Sequence, residues 1–314
     1  MTATSSPCLR IGTRGSPLAL AQTRQVRERL LAAHEGLGGP ETIEITVIKT
    51  TGDKVFDRPL SEVGGKGLFS KEIDEAMLDG RVDLAVHSVK DLPTWFPDAI
   101  HMPCVLARED PRDAFISRKA ASIAALPANS VIGTASLRRQ AQILHRRPDL
   151  RITVFRGNVA TRLKKLDQGV VDATLLALAG LKRLHCEDQA TAVIEADEIL
   201  PAVGQGAVGV TCRADDARAN DLLAPLNDHQ TMTRVTAERA FLEVLDGSCR
   251  TPIAALAEFA GDGALLFRGL IARPDGSELL RAERRGAAAA AALMGHDAGS
   301  ELRGRAGRGF FQQS

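Results

Sequence analysis

The chain writes the same short passage twice. Ile11-Gly12-Thr13 returns as Ile132-Gly133-Thr134, and Gly80-Arg81-Val82-Asp83 returns, in the same order, as Gly169-Val170-Val171-Asp172. Each member of the first pair ends an apolar, β-branched run and opens into a helical period; each member of the second follows a helix and starts a strand. Around them the pattern reads as strands at 8–13, 42–49 and from 82, then at 131–134, 152–155 and 171–177. Helices at 17–34, 68–80, 137–147 and 159–168 lie between them. Strands that alternate with helices call for crossover connections and hence for parallel sheets covered on both faces. The expectation is two similar α/β lobes with a ligand cleft between them. The first lobe would take residues 1–107 and 203–226 and the second 108–202.

Residues 227–314 read differently. Strands at 253–259, 265–272 and 278–285 are separated by Gly261-Asp262-Gly263 and Pro274-Asp275-Gly276, two hairpin signals, and follow a helix at 231–245. This is a small α+β domain, with a helix in the alanine run from Ala287 and a loose tail beyond Gly304. Gly204, Gly206 and Gly209 have the spacing of a dinucleotide fingerprint, but they run into the extended stretch 207–212 where a nucleotide site needs a helix. That stretch is read as the return from the second lobe to the first.

Charge excludes some functions. Forty basic residues against 39 acidic ones leave a net charge of +1, so general binding to nucleic acid or to an anionic membrane is not expected. No apolar run approaches the roughly 20 residues of a membrane helix, and residues 1–10 lack an apolar signal core. A cytoplasmic protein is expected. The five cysteines, Cys8, Cys104, Cys186, Cys212 and Cys249, have neither disulfide nor zinc spacing, and their odd number leaves room for one reactive thiol.

The candidates for chemistry sit where strands end. The run 82–93, VDLAVHSVKDLP, reads as a buried strand that delivers His87, Ser88, Lys90 and Asp91 at its carboxyl end, the edge where open α/β sheets bind ligands. Asp91 reads equally as a turn former before Leu92-Pro93. Arg138 and Arg139 follow Ser136 in the first turn of a helix. Arg156 precedes Gly157, Arg162 lies one turn further on, and Arg14 occupies the matching junction near the N-terminus. A helix N-terminus is already positive, so arginines placed there need an anion opposite. Guanidinium forks suit carboxylates or phosphates; a solvated face is the plainer reading of any one of them. The polar segment 50–67 has the length of a lid. Cys249, in Gly247-Ser248-Cys249-Arg250, reads as an activated nucleophile or as an inert small hydrophobe.

Several stretches together resemble the porphobilinogen deaminase family: Thr13-Arg14-Gly15-Ser16-Pro17-Leu18-Ala19, Val63-Gly64-Gly65-Lys66-Gly67-Leu68-Phe69, His87-Ser88-Val89-Lys90-Asp91, Ser136-Leu137-Arg138-Arg139-Gln140, Phe155-Arg156-Gly157-Asn158-Val159, Leu200-Pro201-Ala202-Val203-Gly204-Gln205-Gly206 and Gly247-Ser248-Cys249. The resemblance covers residues 9–285. Glu62 and Ala135 depart from the family pattern, and the end of the chain matches it poorly.

The resemblance implies two lobes like those of periplasmic binding proteins and a small domain whose Cys249 carries a dipyrromethane cofactor through a thioether. That primer would be extended by four porphobilinogen units, each losing ammonia, before water releases hydroxymethylbilane. It implies catalysis by Asp91 with Lys90. Cofactor contacts would come from Arg138, Arg139, Ser88, Lys90, Thr134, Ser136 and Gly157, and substrate contacts from Arg14, Ser16, Arg156, Arg162, Arg183 and Gln205. Lys66 would lie in a mobile lid. Porphobilinogen is the expected partner of a monomer that needs neither membrane nor nucleic acid. A non-catalytic two-lobed receptor for anionic solutes would use the same arginines with no need of Asp91 or Cys249.

Overall fold

The computed structural model describes residues 9–54, 69–247, 251–307 and 309–311. These form two compact units. The first holds the described residues up to 108 together with 207–232. Its five strands, β1 (Leu9–Thr13), β2 (Ile43–Val47), β3 (Leu84–Ser88), β4 (Ile100–Val105) and β10 (Val208–Arg213), lie in the order β2-β1-β3-β10-β4. The period of two in β3 loads both faces of this sheet. Leu84 and Val86 join Leu9, Ile11 and Val208 beneath Val26 and Leu30 of helix α1 (Pro17–Ala33). Ala85 instead meets Ile73, Ala76 and Met77 of α3 (Lys71–Leu78). Ser16 caps α1 by accepting the amide of Ala19 at 3.2 Å, and Pro17 takes the first helical position, where its missing N–H costs nothing. The segment expected to be a lid begins with a short helix, α2 (Thr51–Lys54). Helix α7 (Ala217–Leu223) follows β10.

The second unit repeats the plan with β5 (Asp113–Ser117), β6 (Val131–Gly133), β7 (Arg151–Thr153), β8 (Ala173–Ala177) and β9 (Ala192–Ile194) in the order β7-β6-β8-β5-β9. Helices α4 (Leu137–Arg146), α5 (Val159–Asp167) and α6 (Leu178–Arg183) connect them. The registers coincide. Ile11 faces Leu84 as Ile132 faces Ala173, and Val208 faces Ser88 as Asp113 faces Ala177. Even the strand edges match: the amide of Arg10 donates to the Asp83 carboxylate at 2.8 Å and the amide of Val131 to Asp172 at 2.7 Å. The two echoes in the sequence thus mark one structural repeat.

The sheets are mixed rather than parallel. β10 runs antiparallel to β3 and β4, and β5 runs antiparallel to β8 and β9. Of these strands β3, β8 and β10 were legible and β4, β5 and β9 were not; β4 contains Pro103, and β9 is three residues long. The glycine-bearing stretch 207–212 enters strand at Val208, as its extended pattern required.

The second unit also contains the small α+β region. Strands β11 (Ile253–Phe259), β12 (Leu265–Ala272) and β13 (Leu279–Gly286) form an antiparallel sheet under α8 (His229–Val244) and α9 (Ala291–Ala306). The Phe241 and Phe267 rings pack 5.3 Å apart at its centre. Its edge meets the second lobe through the Pro274 carbonyl, which accepts from Gln140 of α4 at 3.0 Å. The expected loose tail is corrected: α9 continues to Ala306, and Phe310 is buried in the core with the Arg273 guanidinium 4.9 Å from its ring. No described helix is long and apolar enough to cross a membrane.

Candidate functional site

In the first unit the carboxyl end of β3 turns directly into a single 3₁₀ turn, Val89–Asp91, which anchors itself on buried Val89 and leaves Lys90 and Asp91 half-exposed. Asp91 lines a small pocket of about 50 Å³ together with Arg14, Ser16, Phe69, His87 and Ser88. Arg14 stacks its guanidinium 4.1 Å from the Phe69 ring centre, a contact that fixes the fork while keeping it half-exposed. Ser88 is held from the side by Gln22 of α1, whose Nε2 donates to its Oγ at 2.9 Å. His87 is buried and contacts the Thr211 hydroxyl at 3.1 Å. Burial, helped by the Arg14 charge, pushes it down to about 4, so it is neutral at physiological pH. Asp91 and Lys90 are the other ionisable side chains at this strand end.

In the second unit the arginines are arranged around a carboxylate that the sequence reading did not single out. Ser136 caps α4 through the Arg139 amide, and Thr134 Oγ1 in turn accepts the Ser136 amide at 3.1 Å. The first turn then carries Arg138 and Arg139 inward, to 4% and 6% exposure. Asp113, at the start of β5 and fully buried, accepts from Arg138 Nη2 at 2.9 Å, from Arg139 Nε at 3.1 Å and Nη2 at 2.8 Å, and from Gln205 Nε2 at 2.8 Å. Backbone carbonyls take two more donors: Leu200 O from Arg138 Nη1 at 2.7 Å and Leu175 O from Arg139 Nη1 at 2.9 Å. Burial alone would raise the Asp113 pKa, but the two guanidiniums outweigh it and hold the carboxyl well below its usual range.

The other expected contacts surround this core of charge. Gly157 has φ +127°, a conformation that favours glycine, and its carbonyl accepts from Arg162 Nε at 2.9 Å. Burial, and then the charges of Arg139 and Arg156, push Arg162 down to about 10; it stays a cation among cations. Arg183, on α6, donates to the Gly206 carbonyl at 2.8 Å. Lys66 and Cys249 lie outside the described residues.

These residues suit a polycarboxylate. Two buried guanidiniums share one carboxylate, and Arg138 Nε is buried with no acceptor among the described residues. Arg156 and Arg162 add positive charge nearby. A dipyrromethane bearing acetate and propionate groups fits such a donor set. Asp113 escaped the sequence reading because it follows directly on a charged run, Arg108-Glu109-Asp110-Pro111-Arg112, and stands in no motif of its own. The signal that could have found it is the apolar stretch Ala114-Phe115-Ile116 immediately after it.

Comparison with known proteins gives a consistent picture. Residues 9–221 match the family described as porphobilinogen deaminase, dipyromethane cofactor binding domain, and residues 232–304 match porphobilinogen deaminase, C-terminal domain. A chloroplastic porphobilinogen deaminase of Pisum sativum is 57% identical, over 96% of this chain and 83% of its own. The porphobilinogen deaminase of Paracoccus denitrificans is 58% identical, over 98% and 97%. The solved structure of the methionine binding protein MetQ is similar over 72% of this chain and 89% of its own, with 13% identity and a TM-score of 0.43.

Proposed function

The chain belongs to the porphobilinogen deaminase family, and on that premise we propose how its own residues carry the reaction. Four porphobilinogen molecules are joined head to tail onto a dipyrromethane primer, and water finally releases hydroxymethylbilane. In each addition the aminomethyl C–N bond breaks, ammonia leaves with a proton, a C–C bond forms, and the attacking ring carbon gives up its hydrogen as a proton. A dipyrromethane held on Cys249 would supply the first pyrrole carbon to be extended.

Asp91 is the group for the charge that develops as ammonia leaves. A fixed carboxylate can accept the pyrrole N–H and stabilise an electron-poor ring, and with Lys90 it can take up and return the protons of the cycle. Arg14 and Ser16, beside Asp91 in the same pocket, would bind the acetate and propionate of the incoming substrate. Arg138 and Arg139, with Ser88, Lys90, Thr134, Ser136 and Gly157, would hold the cofactor attached to Cys249. Arg156, Arg162, Arg183 and Gln205 would take the carboxylates of the growing chain. Lys66 would act from the lid. We propose a cytoplasmic monomer that works without membrane or nucleic acid; the near balance of 40 basic and 39 acidic residues supports the lack of a polyanionic partner.

The observation that carries this reading is the placement of Asp91 in a pocket with a guanidinium and a neutral histidine. Asp91→Asn keeps the shape and removes the charge. Porphobilinogen binding should persist while the rate of hydroxymethylbilane release falls by about 100-fold or more. A fall smaller than about tenfold, worth ~1.4 kcal/mol, would contradict the role.

A further inference from the structure

We infer that Asp113 is a positioning residue: an internal carboxylate that takes the place of the cofactor's anionic groups and keeps Arg138, Arg139 and Gln205 in their binding arrangement before any cofactor is present. The inference rests on the reading that these arginines hold the cofactor's carboxylates.

Before any cofactor is bound, the chain must hold these arginines on its own. Two arginines lying in the first turn of α4, almost fully buried and against the positive end of the helix, would then repel each other with no counter-ion. Asp113 removes that problem with four charge-assisted bonds of 2.8–3.1 Å from three side chains. It also fixes where the forks point, because both arginines are tied at the far side to the Leu200 and Leu175 carbonyls. One carboxylate between two guanidiniums leaves the trio one positive charge in excess, and Arg138 Nε retains an unspent donor. The cluster is therefore stable enough to exist and still attracts anions.

The repeat supports a dedicated purpose. By register, the first-lobe counterpart of Asp113 is Val208, since each faces the last residue of the neighbouring strand. Counted from the capping serines Ser16 and Ser136, the counterparts of Arg138 and Arg139 are Leu18 and Ala19. One copy of this fold thus has apolar residues at the three corresponding positions. The acid is present only in the copy that carries the arginines.

Asp113→Asn, prepared without cofactor from cells that make no porphobilinogen and with cofactor after incubation with porphobilinogen, tests this. The cofactor-free variant should melt lower than the cofactor-free wild type by about 5 °C or more, and loading should recover most of the difference. The covalent adduct, followed by intact mass, should form at least about tenfold more slowly, since a disordered fork binds less well. An equal melting deficit in both states, or loading at the wild-type rate, overturns the inference. If the variant does not fold, Asp113→Asn/Arg139→Gln removes one charge of each sign and should fold again; failure of that variant also overturns it. Arg138→Gln separates the two ideas. If it loads at the wild-type rate, the carboxylate-binding role of that arginine is wrong, whereas the melting comparison still judges Asp113.

Discussion

The two lobes are copies of one strand order, yet they handle charge in opposite ways. At the end of β3 and the start of β10 the first lobe has His87, Ser88 and Val208; at the matching positions of β8 and β5 the second has Leu176, Ala177 and Asp113. The first lobe buries a neutral imidazole against a threonine and leaves its carboxylate, Asp91, half-exposed beside Arg14. The second buries its carboxylate completely and surrounds it with arginine. A half-exposed acid can exchange protons and meet a substrate. A buried and doubly paired acid cannot readily protonate, so it can only hold its neighbours in place. On the proposed function the same backbone would support a reacting end in one lobe and an anion-holding end in the other; the observed difference lies in a few side chains at equivalent positions.

Exchanging those side chains should break the comparison most strongly. Val208→Asp puts the acid of the second lobe into the first, where Leu18 and Ala19 replace the arginines, and an uncompensated buried carboxyl should cost about 3–5 kcal/mol by denaturant unfolding. Wild-type stability in that variant would mean that the two positions are not equivalent. A smaller effect should follow from converting the polar pair His87 and Thr211 into Leu and Ile, the residues Leu176 and Ile116 that pack together in the second lobe. At pH 7 the change should stay within about 1 kcal/mol, the net worth of one hydrogen bond. The folded chain holds His87 at about 4, below its ordinary 6.5, so this contribution to stability is complete above pH 6.5 and is lost as the pH falls towards 4. The paired variant should lose that part of the acid sensitivity. If its stability falls between pH 6.5 and 4 as steeply as that of the wild type, His87 is not the buried base described above.

Much of this organisation was legible in the sequence because it follows from period and punctuation. The echoed Gly-x-Val-Asp stretches predicted the repeat, Ser16-Pro17 predicted the start of α1, and the two hairpin turns predicted the order β11-β12-β13. The arginines at the start of α4 were read as needing an anion, and the structure sets Asp113 against both of them. What one-dimensional pattern could not show was that an anion comes from the chain itself, because Asp113 reaches α4 from a strand more than twenty residues earlier. Short antiparallel strands escaped for the same reason: β5 and β9 are defined by partners distant in sequence. The tail was misread: it was expected to be loose beyond Gly304, but Arg303 and Arg305 donate to the Val244 and Arg281 carbonyls at 3.0 and 2.9 Å, and Phe310 closes the core.

The mass of the denatured chain tests the central claim most directly. The account predicts that active protein, unfolded and freed of everything not covalently bound, weighs more than its 314 residues by a dipyrromethane built from two porphobilinogen units, and that Cys249→Ser abolishes both the excess and the turnover. Active enzyme with the bare mass of the polypeptide, or an adduct that persists in Cys249→Ser, would contradict it.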